Sequence, residues 1–272
     1  MLIGITVAVL LAVIAAVTYI FLMMPRVTDR ADMDLLTTDY AHRGLWDTAN
    51  PENSLAAFAL AVKHGYGIEL DVRLSSDGEI MVFHDATLKR MCGIDKKLGD
   101  LSCAELKTCR LLDSGMTVPT LDEVLALVDG KVPLLIEIKG EGKEEALCRK
   151  VAERMDTYSG AFAVQSFSPL ALSWFKSYRP RFARGQLVSK MKKSNSSKHN
   201  FLVRFMLSNL LLNILSRPDF ISVGGGHMKN PSFRLCASVF GCRGFVWTVR
   251  SEDQYKLCHR LGLFAIFEKI RP

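Results

Sequence analysis

The sequence predicts an α/β protein, a closed (β/α)₈ barrel preceded by one N-terminal transmembrane helix. Eight short apolar runs alternate with helical stretches between Tyr40 and Phe267, the pattern of parallel strands joined by crossover helices. Eight strands of this kind favour closure over an open doubly wound sheet. An open nucleotide-binding sheet would carry a glycine-rich phosphate loop after its first strand. The one glycine run, Gly224-Gly225-Gly226, lies late and has no basic residue in P-loop position, so it reads as a strand-end turn.

In chain order, Met1 to Met24 contains no charged side chain and is apolar almost throughout. About 20 such residues, at 1.5 Å each in a helix, span a bilayer's hydrocarbon core. A cleaved signal peptide would show basic residues first, a shorter apolar core and a small-residue cleavage site. The sequence shows none of these clearly, so residues 1–25 read as a retained single-pass anchor in the cell membrane. Pro25 ends the helix, and Arg26 and Arg30 follow it with no Lys or Arg before. That bias puts the C-terminal side, and the domain that follows with it, in the cytoplasm; nearby Asp29, Asp32 and Asp34 weigh little. Residues 26–38 form a linker and residues 39–272 the barrel.

Strands are expected at 40–44, 67–72, 134–138, 161–167, 184–188, 220–223, 244–249 and 263–267. Helical spacing of Leu55, Phe58, Ala59 and Val62 predicts a helix from Glu52 to His64, closed by Gly65 and Gly67. A further helix runs from about Leu121 to Val128. Residues 73–118 break the alternation. The turn signal Ser76-Asp77-Gly78 between two apolar runs predicts a hairpin there, within a subdomain inserted after the second strand.

Residues 189–216 are unusual in another way. Lys190, Lys192, Lys193 and Lys198 lie in a serine-rich stretch, followed by the apolar run Asn200 to Leu215. The segment reads either as a solvated basic loop with an ordinary outer helix, or as an interfacial helix or lid touching anionic lipid. Nucleic acid is not expected as a partner, because no aromatic stacking platform accompanies the lysines. The net charge of +7 fits an anionic membrane surface or a phosphorylated substrate. Seven cysteines without metal or redox spacing read as reduced thiols.

Glu69 and Asp71 stand two apart at a strand end, so both side chains share one face. Desolvating two like charges is costly unless a cation lies between them. Glu137 repeats the pattern on the next barrel strand, and three carboxylates suit a hard ion, Mg²⁺ or Ca²⁺. His42 and His84 each end a strand beside this cluster, where imidazole suits acid–base catalysis. Arg43 and Lys139 offer positive charge for a phosphate oxyanion. Trp247 reads equally as core or as an apolar wall for substrate carbons.

His42-Arg43-Gly44, Pro51-Glu52-Asn53-Ser54, Glu69-Leu70-Asp71-Val72, Phe83-His84-Asp85, Pro119-Thr120-Leu121, Glu137-Ile138-Lys139, Gln165-Ser166-Phe167 and Trp247-Thr248-Val249 follow one another in order. Together they resemble the signature blocks of the glycerophosphodiester phosphodiesterase family, from about Asp39 to the C-terminus. The resemblance implies a TIM barrel with a small subdomain carrying the second histidine. It implies a divalent ion on Glu69, Asp71 and Glu137, and His42 and His84 as the acid–base pair. Arg43 and Lys139 would then lie near the phosphate, with Glu52 close to the site. One departure is Phe267-Glu268-Lys269, where the family's last strand usually ends in Thr-Asp or Ser-Asp, so the site floor is expected to be supported differently.

The expected reaction is metal-dependent hydrolysis of a glycerophosphodiester to glycerol phosphate and an alcohol. An alternative substrate is a lysophospholipid or another membrane lipid phosphodiester. An alternative of another class, a non-catalytic membrane-bound binding module, sits poorly with a site that keeps His42, His84, Glu69, Asp71 and Glu137.

Overall fold

The computed structural model describes residues 2–27, 31–140, 142–190 and 200–272. Asp29, Arg30, Lys192, Lys193 and Lys198, which entered the orientation and lipid-contact readings, lie outside the described residues.

Strand β2 (Gly67–Leu74) has seven consecutive buried residues, the mark of a strand covered on both faces. It lies in a closed ring with β1 (Tyr40–His42), β4 (Leu134–Ile138), β5 (Phe162–Ser166), β6 (Ala183–Val188), β7 (Phe220–Gly224), β8 (Arg243–Val249) and β9 (Phe264–Phe267). All ring pairings are parallel, and β1 closes the barrel by pairing with both β2 and β9. The ninth strand, β3 (Ile80–Val82), is antiparallel to the end of β2 and lies outside the ring.

The helices are α1 (Leu2–Met23), α2 (Leu55–His64), α3 (Lys89–Cys92), α4 (Cys103–Leu106), α5 (Leu121–Val128), α6 (Glu144–Met155), α7 (Pro169–Tyr178), α8 (Phe201–Ser208), α9 (Asn213–Ser216), α10 (Pro231–Ser238) and α11 (Glu252–Arg260). The main core lies between ring and helices. A second, small core of Met81, Phe83, Leu88, Leu98, Leu106 and Val118 gathers the segment after β2 around α3 and α4.

Inside the ring the period of two divides floor from mouth. Tyr40, Leu135, Ala163, Ala183, Phe220, Phe245 and Ile266 form an apolar floor. Two residues further along their strands stand His42, Glu137, Gln165, Gly185, Ser222, Trp247 and Glu268. Small residues admit large neighbours: a Cβ on Gly185 would fall 2.0 Å from the Phe220 ring.

Two helices differ from expectation. The first starts at Leu55 rather than Glu52, because Ser54 Oγ caps the Ala57 amide at 3.2 Å and Asn53 adopts φ 53. The apolar run from Asn200 is broken in two. Asn209 bonds back to the Phe205 carbonyl at 2.9 Å, Leu210 turns with φ 61, and Leu210 and Leu211 enter the core.

Helix α1 has a mean hydropathy of 2.7 and is long and apolar enough to cross a membrane. Leu2 to Thr18 is exposed throughout, whereas Met23 is buried in the main core. Asn213 Nδ2 donates to the Met23 carbonyl at 2.8 Å, and Arg217 to those of Phe21 and Met24 at 2.9 and 2.8 Å.

Candidate active site

β1 ends at His42, and the chain then turns sharply through Arg43 (φ 60) and Gly44 (φ 84). A side chain on Gly44 would meet Ala57 and Phe58 at 2.9 Å, so only glycine lets this turn pack on α2. The turn aims the Arg43 amide at Glu69 Oε2, 3.1 Å away.

Glu69, Asp71 and Glu137 are buried, and each offers one oxygen within 4.8 Å of the others. Burial, then the charges of Asp71 and Glu137, push the Glu69 carboxyl well above its ordinary range. Burial raises Glu137 to about 7 although Lys139 opposes it. Burial works against an ionised Asp71 as well, but Lys139, Arg43 and His84 outweigh it and hold that group low. Lys139 Nζ lies 2.6 Å from Glu137 and 3.2 Å from Asp71. The Asp71 atom in that pair is Oδ1, which has no other polar partner. Three converging buried oxygens, one with accepting capacity to spare, fit a hard divalent cation.

Both histidines are tied to carboxylates through Nδ1. His42 Nδ1 is 2.6 Å from Glu268 Oε2, and Arg250 Nε donates to the other Glu268 oxygen at 2.7 Å. His84 Nδ1 is 2.6 Å from Asp85, which Arg90 holds at 2.7 and 3.1 Å. Such pairing fixes the ring and leaves Nε2 for chemistry. Burial lowers the His84 pKa below its ordinary value, with Asp71 opposing.

Glu52 clamps two cations, Arg43 at 2.6 Å and Arg90 at 2.7 and 3.0 Å. It therefore positions Arg43 and joins the two histidine regions. Trp247 is half-buried at the end of β8; its indole donates to Ser222 O at 3.1 Å and its ring meets exposed Phe167 edge-on at 5.6 Å.

The structure thus gathers His42, Arg43, Glu52, Glu69, Asp71, His84, Glu137 and Lys139 at the C-terminal end of the barrel. It adds residues not singled out from sequence. Asn53 donates to Asp71 at 2.9 Å, and Gln165 to Glu69 at 3.3 Å with Ser222 behind it at 2.8 Å. Asn53 and Gln165 lay within recognised blocks. Glu268 carried a signal too, as the acid in Phe267-Glu268-Lys269, the segment that departs from the family's usual strand end.

A (β/α)₈ barrel with buried acids and carboxylate-held histidines at the C-terminal ends of its strands has the architecture of a barrel enzyme with acid–base groups at its mouth. The sequence profile of the glycerophosphoryl diester phosphodiesterase family matches residues 42–268, and the chain belongs to that family. A glycerophosphodiester phosphodiesterase of Bacillus altitudinis is 32% identical over 256 residues, covering 85% of this chain and 94% of that protein. Lysophospholipase D GDPD1 of Rattus norvegicus is 31% identical over 142 residues, 47% of this chain and 44% of that protein. An Oleispira antarctica phosphodiesterase solved with its product sn-glycerol-3-phosphate superimposes with a TM-score of 0.73 at 26% identity, covering 87% of this chain and 94% of that one.

Proposed function

We propose that the chain hydrolyses glycerophosphodiesters to glycerol phosphate and an alcohol, with His42 and His84 as its acid–base pair. The observation that carries this is the matched tethering of the two histidines, each by Nδ1 to a carboxylate at 2.6 Å, beside one buried acidic cluster. Glu69, Asp71 and Glu137 would hold Mg²⁺ or Ca²⁺, which when bound supplies charge neutralisation at the phosphate. Arg43 and Lys139 bring positive charge to the same oxygens. His84, whose pKa burial lowers, accepts a proton from the attacking hydroxyl or water. His42, with Glu268 behind it, donates a proton to the departing alkoxide as the phosphorus–oxygen bond breaks. Trp247 and Phe167 offer an apolar wall to the glycerol carbons.

α1 serves in this proposal as a single membrane span, with the catalytic domain on the cytoplasmic side. A lysophospholipid is the second substrate reading, favoured by the exposed apolar length of α1. The test uses the full chain in detergent, with glycerophosphocholine and lysophosphatidylcholine as substrates, with and without EDTA. Turnover that EDTA abolishes and Mg²⁺ or Ca²⁺ restores is expected, as is its near-complete loss in His42→Ala. No turnover of either substrate with added cation would sink the enzymatic reading; undiminished His42→Ala activity would sink that residue's role. A reporter fused after Pro272 must be active in the cytoplasm for the orientation to stand.

A further inference from the structure

The anchor leaves the barrel on the side of the catalytic mouth. α10 follows the C-terminal end of β7 and precedes the start of β8, so it descends from mouth to floor. α1 runs beside it in the same direction. Tyr19 Oη bonds Ser232 Oγ at 2.6 Å near the top of α10. One turn on in both helices, Cys236 Sγ meets the Met23 carbonyl at 3.4 Å. Arg26 then reaches the floor, with its amide on Pro218 O at 2.9 Å and its guanidinium on Asp219 at 3.2 Å, just before β7. The exposed stretch Leu2 to Thr18 therefore rises past the mouth, by about 25 Å at 1.5 Å per residue.

A second feature stands at the same rim. α8 has no buried residue, and Phe201, Leu202 and Phe205 are 75%, 61% and 45% exposed. Its last carbonyl, Ser208 O, accepts from His227 Nε2 at 3.0 Å and Asn230 Nδ2 at 3.2 Å, both in the connection from β7 to α10 at the mouth. Phe167 and Leu170, following β5, are exposed at that end as well. Water is a poor neighbour for such a rim, and the direction of α1 puts hydrocarbon there instead.

We infer that the catalytic mouth faces the bilayer. α8 lies in the interface with Phe201, Leu202 and Phe205 in the boundary between head groups and acyl chains, and the site takes phosphodiester head groups from that leaflet. The inference rests on the proposal that α1 is a membrane span. Depth measurement separates the two. Full-length Phe205→Trp and Leu261→Trp, the latter at the floor, are reconstituted into phosphatidylcholine–phosphatidylglycerol vesicles containing brominated acyl chains. Flotation with the vesicles, and quenching of the new indole at 205 but not at 261, is expected. Flotation with quenching at neither site, or at 261 alone, would overturn the orientation and leave the anchor standing. Failure to float would overturn the anchor and this inference together. Phe201→Asp combined with Phe205→Asp should slow turnover of vesicle-borne lysophosphatidylcholine about tenfold or more, with soluble glycerophosphocholine turned over at the original rate. Equal rates on both substrates before and after substitution would refute an interfacial role for α8.

Discussion

Glu268→Gln preserves the length of the side chain and removes its charge. In the native protein one Glu268 oxygen lies 2.6 Å from His42 Nδ1 and the other accepts from Arg250 at 2.7 Å. Although burial opposes ionisation, these two partners bring the Glu268 carboxyl from its ordinary 4.5 down to about 2. That fall corresponds to about 3 kcal/mol of preference for the ionised form, shared between His42 and Arg250. A charge-assisted bond of this kind contributes about 1.5–3 kcal/mol, so losing it should lower kcat about 10- to 100-fold. KM should change little, because in the proposed reaction His42 acts on the reacting oxygen rather than on the bulk of the substrate. Stability carries a second signature. A depressed carboxyl pKa stabilises the fold above pH 4.5 and loses that contribution as pH falls towards 2. The melting temperature of Glu268→Gln should therefore lie below the native value at pH 7, and the gap should narrow on acidification below pH 4.5. Glu268→Asp, one methylene shorter, should recover part of kcat. Steady-state kinetics on glycerophosphocholine and melts monitored by circular dichroism supply the readouts. A Glu268→Gln enzyme with native kcat, or with its whole defect in KM, would refute the tethering argument.

Glu69→Gln removes one of three crowded buried carboxylates, so it should raise the melting temperature in EDTA. The native chain should gain about 5–10 °C with Mg²⁺ or Ca²⁺ near 100-fold above its dissociation constant, a gain the variant should lack. A native melt indifferent to both ions would count against the cation site. Gly185→Ala should destabilise by about 1–3 kcal/mol in urea titration, because its Cβ would lie 2.0 Å from the buried Phe220 ring. A cost near zero would mean the barrel floor is loosely packed.

The sequence carried most of what a single strand or turn can encode. Glu69 and Asp71 share a face through the period of two, and Glu137 meets Asp71 by register between neighbouring strands. His42 and His84 announced themselves as polar ends of apolar runs. The boundaries that shifted were set by side chains rather than periodicity. Asn53 and Ser54 delay α2, which leaves Glu52 in a turn where it can reach two arginines. What local pattern could not show is how barrel closure brings distant residues together. Glu268 meets His42 only because β9 returns to pair with β1, a separation of 226 residues. Arg90 reaches Glu52 across 38 residues from the small second core. Both contacts hold a catalytic candidate in place from a distant part of the chain. The candidate site residues were therefore legible from strand ends, while the groups that hold them in place depended on closure. The Glu268 position shows why the second class tolerates change. A carboxylate there needs only to span from β9 to an imidazole on β1, and Arg250 fixes its other oxygen. A longer acid can meet that requirement in a way that a displaced carboxylate of the acidic cluster, confined by register on both sides, cannot.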